Sequence, residues 1–243
     1  MVITSVNNNH IKELCKLKDK KYRDITNTYL VETKHLVEEA YKESLLEELI
    51  LLDKEDYKLD VNTTYVSLEV LKKLSNINNP SSVMGVVKKK EESNNLGSRI
   101  LILDNIQDPG NLGTIIRSGV AFNFDTIVLS MDTVDLYNPK VVRATEGMIY
   151  KINIIVRDLK KFINSIKDKY TVYGTDVNNG INISDIDSNN IVVIIGNEGN
   201  GISKDIKSLC DKNIYIDISS RCESLNVGVA SSIIMYEINK SRK

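Results

Sequence analysis

Asp108-Pro109-Gly110-Asn111-Leu112-Gly113-Thr114-Ile115-Ile116-Arg117 is the stretch whose reading decides the fold. Just upstream, Arg99-Ile100-Leu101-Ile102-Leu103-Asp104 is a short apolar run, the pattern of a strand covered on both faces. Asp108-Pro109-Gly110 is turn chemistry, which places the start of a helix near Asn111. Along that helix Leu112, Ile115, Ile116, Gly119 and Val120 recur at i, i+3, i+4, i+7 and i+8 and face a core, while Gly113, Thr114 and Arg117 fall off that stripe. Asn111 and Arg117 can therefore point towards one open site. Asn is also a favoured helix cap and an exposed Arg a common solvated cation, so the segment alone leaves both readings open.

Two later segments repeat the arrangement. Ile191-Val192-Val193-Ile194-Ile195 reads as a buried strand running into Gly196-Asn197-Glu198-Gly199-Asn200-Gly201-Ile202-Ser203, with Ser203 as the cap of a following helix. Three glycines in six residues let a ligand approach the backbone, although the loop is neither the dinucleotide fingerprint nor a P-loop. Ile214-Tyr215-Ile216-Asp217-Ile218 reads as a third strand. It leads through Ser219-Ser220-Arg221-Cys222-Glu223 into Ser224-Leu225-Asn226-Val227-Gly228-Val229-Ala230, and Leu225, Val229, Ser232, Ile233 and Tyr236 continue at helical spacing.

Three strand-to-helix corners in this order resemble the three motifs of the SpoU family of RNA ribose 2′-O-methyltransferases. The first motif's Asn and Arg match Asn111 and Arg117, the second, Gly-x-Glu-Gly-x-Gly, matches Gly196 to Gly201, and the third, Ser-Leu-Asn-Val, matches Ser224 to Val227. The resemblance is strong over residues 98–243. A weaker one to the family's substrate-binding domain runs through Ser5 to Lys12 and Tyr29 to Glu32. One departure stands out: where the family usually has Ile-Pro-Met, this chain has Ile216-Asp217-Ile218.

The resemblance implies S-adenosylmethionine as cofactor, with no metal. Asn111, Arg117, Ser224 and Asn226 are the expected catalytic residues, and Gly196, Glu198, Gly199, Ile216, Ile218 and Leu225 the expected cofactor-binding ones. It also implies a trefoil knot in an α/β domain, a homodimer formed near the last helix, and RNA, more specifically ribosomal RNA, as partner. A guanidinium loses its proton only above about pH 12, so Arg117 is expected to stabilise alkoxide charge or clamp a phosphate rather than act as the base. Transfer-RNA methylation, a catalytically silent RNA-binding protein, and a nucleotide-binding α/β protein are the competing readings. The silent protein would be expected to have lost Asn111, Arg117 or Asn226, and the nucleotide binder lacks a Walker-type lysine at the loop.

With 243 residues, 42% of them hydrophobic, the chain can hold two domains, expected at 1–92 and 98–243 across the polar linker Glu91 to Ser98. In the second, strands at 100–103, 126–130, 151–156, 171–174, 191–196 and 214–218 alternate with helices, which implies a mainly parallel sheet. In the first, a helix from Thr33 to Ser44, strands at 49–52 and 64–66, a helix from 68 to 74 and a strand at 82–87 make a small α/β domain. The resemblance gives it a ribosomal-protein-like RNA-binding fold. A net charge of −1 excludes a uniformly basic surface, so RNA contact must come from a local cluster. Lys12, Lys16, Lys18, Lys20, Lys21 and Arg23 form one near the first helix, read either as phosphate contacts, with Lys12, Lys16, Lys20, Lys21 and Arg23 as the RNA-binding set, or as a solvated face.

No apolar stretch approaches the roughly 20 residues that span a bilayer, and no signal-peptide pattern opens the chain, so no membrane association and a cytoplasmic location are expected. Cys15, Cys210 and Cys222 lack metal-ligand spacing and read as reduced thiols. His10 and His35 both lie in the first half, which leaves the second without a histidine base.

Overall fold

The computed structural model describes residues 2–177, 179–186 and 189–240. The first ninety residues form β1 (Val2–Ile3), α1 (Asn9–Lys16), α2 (Lys20–Thr26), β2 (Thr28–Glu32), α3 (Lys34–Lys42), β3 (Leu46–Leu52), β4 (Asn62–Val66), α4 (Leu68–Leu74) and β5 (Val83–Lys88). Then follow β6 (Arg99–Leu103), α5 (Pro109–Ala121), β7 (Thr126–Ser130), α6 (Pro139–Ala144), β8 (Asn153–Arg157), α7 (Leu159–Ile166), β9 (Thr171–Thr175), β10 (Ile181–Asn182), β11 (Ile191–Ile195), α8 (Lys204–Lys207), β12 (Lys212–Tyr215) and α9 (Val227–Lys240).

The chain gathers into two compact units, Met1–Glu91 with Asp135–Tyr150, and Glu92–Val134 with Lys151–Lys243. The single cut expected from sequence, between 92 and 98, does not account for Asp135–Tyr150, which packs with the first unit. The contacts are specific. Arg23 Nη2 pairs with Asp135 Oδ2 at 2.5 Å, the Tyr29 and Tyr137 rings lie 4.7 Å apart, and a Cβ on Gly147 would come within 2.9 Å of the Glu39 side chain.

In the first unit the sheet runs β1-β4-β3-β5-β2, with β5 antiparallel to both β2 and β3. Ile11, Leu14 and Leu17 from the α1 region and Val70, Leu71 and Leu74 from α4 share one core with Leu30, Ile50, Val66 and Met84 of the strands. Asn8 caps α1 and Asp19 caps α2, so the basic stretch forms two short helices rather than one.

The second unit's sheet runs β10-β12-β9-β11-β6-β7-β8, and every pair in it is parallel. All residues of β6, β7 and β11 are buried, as expected of parallel strands covered on both faces. Ile100, Ile102, Val128, Val172, Val192 and Ile194 pack with Leu159, Ile163 and Ile166 of α7 and with Ile206 of α8. Ile127 faces the other way, where a Cβ on Gly119 of α5 would lie 3.2 Å from its Cδ1. Ser118 Oγ and Ser232 Oγ, 2.7 Å apart, join α5 to α9.

Several local expectations are corrected. The cap of α5 is Asp108, whose carboxylate accepts from the Asn111 N–H at 2.8 Å, with Pro109 in the first turn, so the helix begins two residues before Asn111. Gly113 is buried and Val120 half-buried, a small rotation of the expected stripe. The strand expected at 214–218 occupies Lys212–Tyr215, because its pairing with β9 ends at Ile214. On α9 the residues facing the core are Val227, Ser231, Ile234, Met235 and Ile238, whereas Val229 and Tyr236 are about half exposed. Arg99, at the head of an apolar run, has a wholly buried side chain. Its Nη1 donates to the Phe122 carbonyl at 3.4 Å and to Asn239 Oδ1 at 3.2 Å, and its Nη2 to the Ile238 carbonyl at 3.3 Å, a cation set on the C-terminal ends of α5 and α9. No helix among the described residues is long and apolar enough to cross a membrane.

Candidate functional site

From β6 the chain moves outward to β7 and β8, then returns to lay β11 against the other side of β6. In an open parallel sheet such a reversal leaves a crevice at the C-terminal strand ends. Here α5 leaves the end of β6 and the glycine loop leaves the end of β11. A cavity of about 450 Å³ lies among these strand ends, lined by Gly196 to Ile202, by Thr175, Asp176 and Val177 after β9, by Ile214, Tyr215, Ile216 and Ile218, by Ser224, Leu225, Val227, Ala230 and Ile234, and by Lys207.

The glycine loop is a tight backbone return. Asn197 and Gly201 exchange two hydrogen bonds, N to O at 3.0 Å and 2.9 Å. Gly196 packs so closely beneath them that a Cβ there would sit 2.1 Å from the Gly201 carbonyl carbon and the Ile202 nitrogen. Asn197 fixes the turn: its Oδ1 accepts from the Gly199 and Asn200 amides at 2.9 and 3.2 Å, and its Nδ2 donates to the Asn105 carbonyl at 2.8 Å, beyond β6. The buried Asp104 carboxylate accepts from the Ser203 N–H at 2.8 Å, so Ser203 occupies the cap position of α8 but makes no side-chain cap bond.

Three side chains from the three corners form a chain of hydrogen bonds beside this cavity. Asn226 Nδ2 donates to Asn111 Oδ1 at 3.0 Å, and Asn111 Nδ2 donates to Glu198 Oε1 at 3.0 Å. Asn226 Oδ1 accepts from the Gly228 and Val229 amides at 2.9 and 3.2 Å, which fixes its amide orientation and starts α9. Because Asp108 takes the capping role, the Asn111 side chain is left to join the site. Glu198 is held by neutral amides alone among these contacts.

Of the expected cofactor-binding residues, Gly196, Glu198, Gly199, Ile216, Ile218 and Leu225 all line the cavity, as does Ser224 from the expected catalytic set. Asn111 and Asn226 reach it through Glu198. Arg117 does not: it is exposed on α5, absent from the lining, and without a hydrogen-bond or ion-pair partner among the described residues. Asp217 is exposed and lies outside the lining between two residues that belong to it, so the departure from Ile-Pro-Met turns its carboxylate away from the cavity. Thr175, Asp176, Asn197 and Lys207 escaped the sequence reading. Their available signal was position: the ends of parallel strands and an Asn able to form an Asx turn inside a glycine loop.

In the first unit, Lys12, Lys20 and Lys21 are exposed. Lys16 is exposed but paired with Glu13 at 2.7 Å, and the hydrogen bond to that carboxylate raises its pKa. Arg23 overturns its assignment to RNA contact. It is 4% exposed, donates from Nη1 to the carbonyls of Leu17 and Lys18 at 2.8 Å each, and pairs with Asp135, so its charge is spent inside the protein.

With this geometry in hand, similarity to known proteins is informative. A sequence profile described as the SpoU rRNA Methylase family matches residues 98–236, and one described as an MRM3-like substrate binding domain matches residues 8–85. The chain belongs to the SpoU rRNA methylase family. It is 33% identical over 243 residues to 23S rRNA (guanosine(2553)-2'-O)-methyltransferase RlmP of Bacillus subtilis (strain 168), covering 97% of this chain and 98% of that protein. The crystal structure of an AdoMet-bound rRNA methyltransferase from Sinorhizobium meliloti, 26% identical, superposes with a TM-score of 0.87 over 99% of this chain and 98% of that one. A TrmH/SpoU tRNA-modifying enzyme from A. aeolicus, 25% identical, aligns over 60% of this chain and 78% of its own, with a TM-score of 0.52. The two rRNA methyltransferases thus match this SpoU member along nearly its whole chain, whereas the tRNA-modifying enzyme matches 60% of it.

Proposed function

We propose that this chain transfers a methyl group from S-adenosylmethionine to a ribose 2′-hydroxyl in ribosomal RNA. The observation that carries the reading is the joining of the three corners, Asn226 to Asn111 to Glu198, beside a cavity lined by all six expected cofactor-binding residues. That cavity falls in the usual size range of small-molecule sites. Its aliphatic walls suit a flat heteroaromatic base, and the tight glycine loop offers backbone groups at close range. When bound, S-adenosylmethionine supplies an electrophilic methyl group on a sulfonium sulfur. Glu198, negative and held by amides, positions the cationic end of such a ligand. Asn111, locked by Asn226 on one side and Glu198 on the other, offers a preorganised amide with no further reorganisation. Arg117, on the same helix and with no hydrogen-bond or ion-pair partner among the described residues, stabilises developing alkoxide charge or grips the adjacent phosphate.

The near full-length likeness to RlmP supports ribosomal RNA over transfer RNA, and a cytoplasmic location accords with an RNA substrate of that kind. The first unit then serves as the RNA-binding part through Lys12, Lys20 and Lys21, and the second as the methyltransferase domain with a trefoil knot formed by its motif loops. Val229 and Tyr236, half-exposed apolar residues on α9, support a homodimer through that face, with Tyr236 held edge-on to Phe122 at 5.7 Å. Sedimentation of Tyr236→Glu is expected to give a monomer, and an unchanged dimer removes that face from the reading.

Calorimetric titration with S-adenosylmethionine, ATP and GTP tests the class: uptake of the first alone is expected, and uptake of ATP alone overturns it. Mapping 2′-O-methyl groups in cells with and without the gene tests the substrate. A mark missing from ribosomal RNA is expected. A mark missing only from transfer RNA moves the reading there.

A further inference from the structure

Loops leaving three neighbouring strands, β6, β7 and β11, are tied together at Asn105, a residue outside the three motifs. Its backbone N–H donates to Oγ of Ser130, the last residue of β7, at 2.9 Å. Its carbonyl accepts from Asn197 Nδ2, just past β11, at 2.8 Å. Its side-chain Oδ1 accepts from Gln107 Nε2, which also donates to the Asp132 carbonyl at 2.7 Å. Asn105 makes these bonds from a left-handed backbone conformation, with φ at +61°, two residues after β6 ends. Asn and Gly enter that region readily, whereas Ala does so only under strain.

The bond from Asn197 reaches furthest into the site. An Asn side chain ends in one donor and one acceptor, so partners on its two sides decide which way the amide faces. Asn197 Oδ1 accepts from the Gly199 and Asn200 amides while Nδ2 donates to the Asn105 carbonyl and, at 3.5 Å, to Glu198 Oε2. A flipped amide would set donor against donor on one side and acceptor against the Asn105 carbonyl on the other. The shape of the glycine loop is thus fixed from outside the loop, by one backbone oxygen beyond β6.

We propose that Asn105, clamped by Gln107, is a positioning residue for the cofactor: its left-handed turn aims the carbonyl that keeps the glycine loop in its receiving shape before S-adenosylmethionine arrives. The inference rests on the function proposed above. A loop already in its bound shape spares the cost of ordering it on binding, so a loosened turn shows first in cofactor affinity. Asn105 itself is absent from the cavity lining and acts through Asn197.

The test is calorimetric titration of the full chain with S-adenosylmethionine, as wild type, Asn105→Gly, Asn105→Ala and Gln107→Ala, with deuterium exchange followed over residues 196–203 of the cofactor-free protein. Asn105→Gly loses the side-chain amide but keeps the turn, and is expected to bind about threefold more weakly than wild type. Asn105→Ala loses the same amide and strains the turn as well. It is expected to bind about tenfold more weakly than Asn105→Gly, with faster exchange in the glycine loop. Gln107→Ala changes an exposed side chain, so it is expected to fold, and to match Asn105→Gly because both variants lose the same clamp. An asparagine that served the fold alone would lower the urea midpoint of Asn105→Ala and leave affinity and loop exchange at wild-type values, which overturns the assignment. Equal losses in Asn105→Ala and Asn105→Gly overturn it too, because the turn would then not matter. If Asn105→Ala does not fold, Gln107→Ala decides: a threefold loss upholds the assignment and wild-type affinity overturns it. A wild type that takes up no S-adenosylmethionine at all fails the proposed function instead.

Discussion

Replacing Gly196 by alanine is expected to do more damage than any other single-methyl addition to the site. The new Cβ would stand 2.1 Å from the Gly201 carbonyl carbon and the Ile202 nitrogen, and 2.5 Å from the Gly201 oxygen. All three are backbone atoms, so no side-chain rotation relieves the clash. Ordinary contact begins at 3.4 Å, so the two limbs of the loop must part by 3.4 − 2.1 = 1.3 Å. That exceeds what the two Asn197–Gly201 hydrogen bonds, at 3.0 and 2.9 Å, can stretch. Their loss costs about 1 kcal/mol each, and the overpacking about 1–3 kcal/mol more, for a total of roughly 3–5 kcal/mol. Gly201→Ala is the control. Its φ of +66° carries a left-handed penalty of about 1–2 kcal/mol, but its Cβ would meet nothing within 4 Å. Urea unfolding and calorimetric binding of S-adenosylmethionine should therefore separate the pair: Gly196→Ala strongly destabilised and without measurable binding, Gly201→Ala mildly destabilised with binding largely kept. Near-normal stability and binding in Gly196→Ala, or a worse outcome in Gly201→Ala, would refute the steric reasoning.

Asn111→Asp sets a second carboxylate against Glu198 in place of an amide donor; a fall in methylation rate of about a hundredfold is expected, with a melting temperature close to wild type because the position is half-buried at a helix start. Arg117→Lys keeps the charge but loses the planar fork, and should lower the methylation rate while leaving S-adenosylmethionine affinity intact, since Arg117 is absent from the cavity lining; near-normal turnover would remove the geometric role. Asp135→Ala leaves the buried Arg23 guanidinium without its counter-ion and should cost about 3 kcal/mol by urea unfolding, whereas a loss below about 1 kcal/mol would show the pair to be solvated. Burial pushes the Cys210 thiol from 9.0 up to about 11, so the folded chain keeps this proton while the unfolded chain sheds it, and stability should fall as the pH rises from about 9 to 11. In the same protein exposed Cys222 should react with iodoacetamide well before Cys210, and the reverse order in a mass-spectrometric time course would contradict the burial.

What could be read beforehand was the part governed by local pattern. The all-apolar runs at Ile100–Leu103 and Ile191–Ile195 are central parallel strands because neither face meets water, and the polar corners after them could only be loops. What escaped was set by contacts distant in sequence. Nothing local marks Arg23, in a run of lysines, as the mate of Asp135, 112 residues away, and so neither its burial nor the membership of Asp135–Tyr150 in the first unit was visible. Arg99 was hidden for a similar reason: its acceptors sit on two helix ends, one of them at the far end of the chain. The sequence offered Asn111 as a cap of α5 and Asp108 only as part of a turn, whereas Asp108 is the cap. The carboxylate three residues ahead of the amide N–H won, and that freed Asn111 for Glu198. Asp176 had no motif around it, and its place in the cavity wall appears only once β9 is seen beside β11 and β12.

The clasp made by Arg99 has a bearing on synthesis. A ribosome releases the residue that opens the second unit's first strand long before it releases Ile238 and Asn239, both of which accept from this guanidinium. Until Ile238 and Asn239 emerge, a cation destined for the interior lacks both of those acceptors, and a buried charge is costly with its hydrogen bonds incomplete. The sheet can assemble during translation, but the Arg99 corner is sealed only once α9 has been made, so α9 acts as a late latch on the second unit.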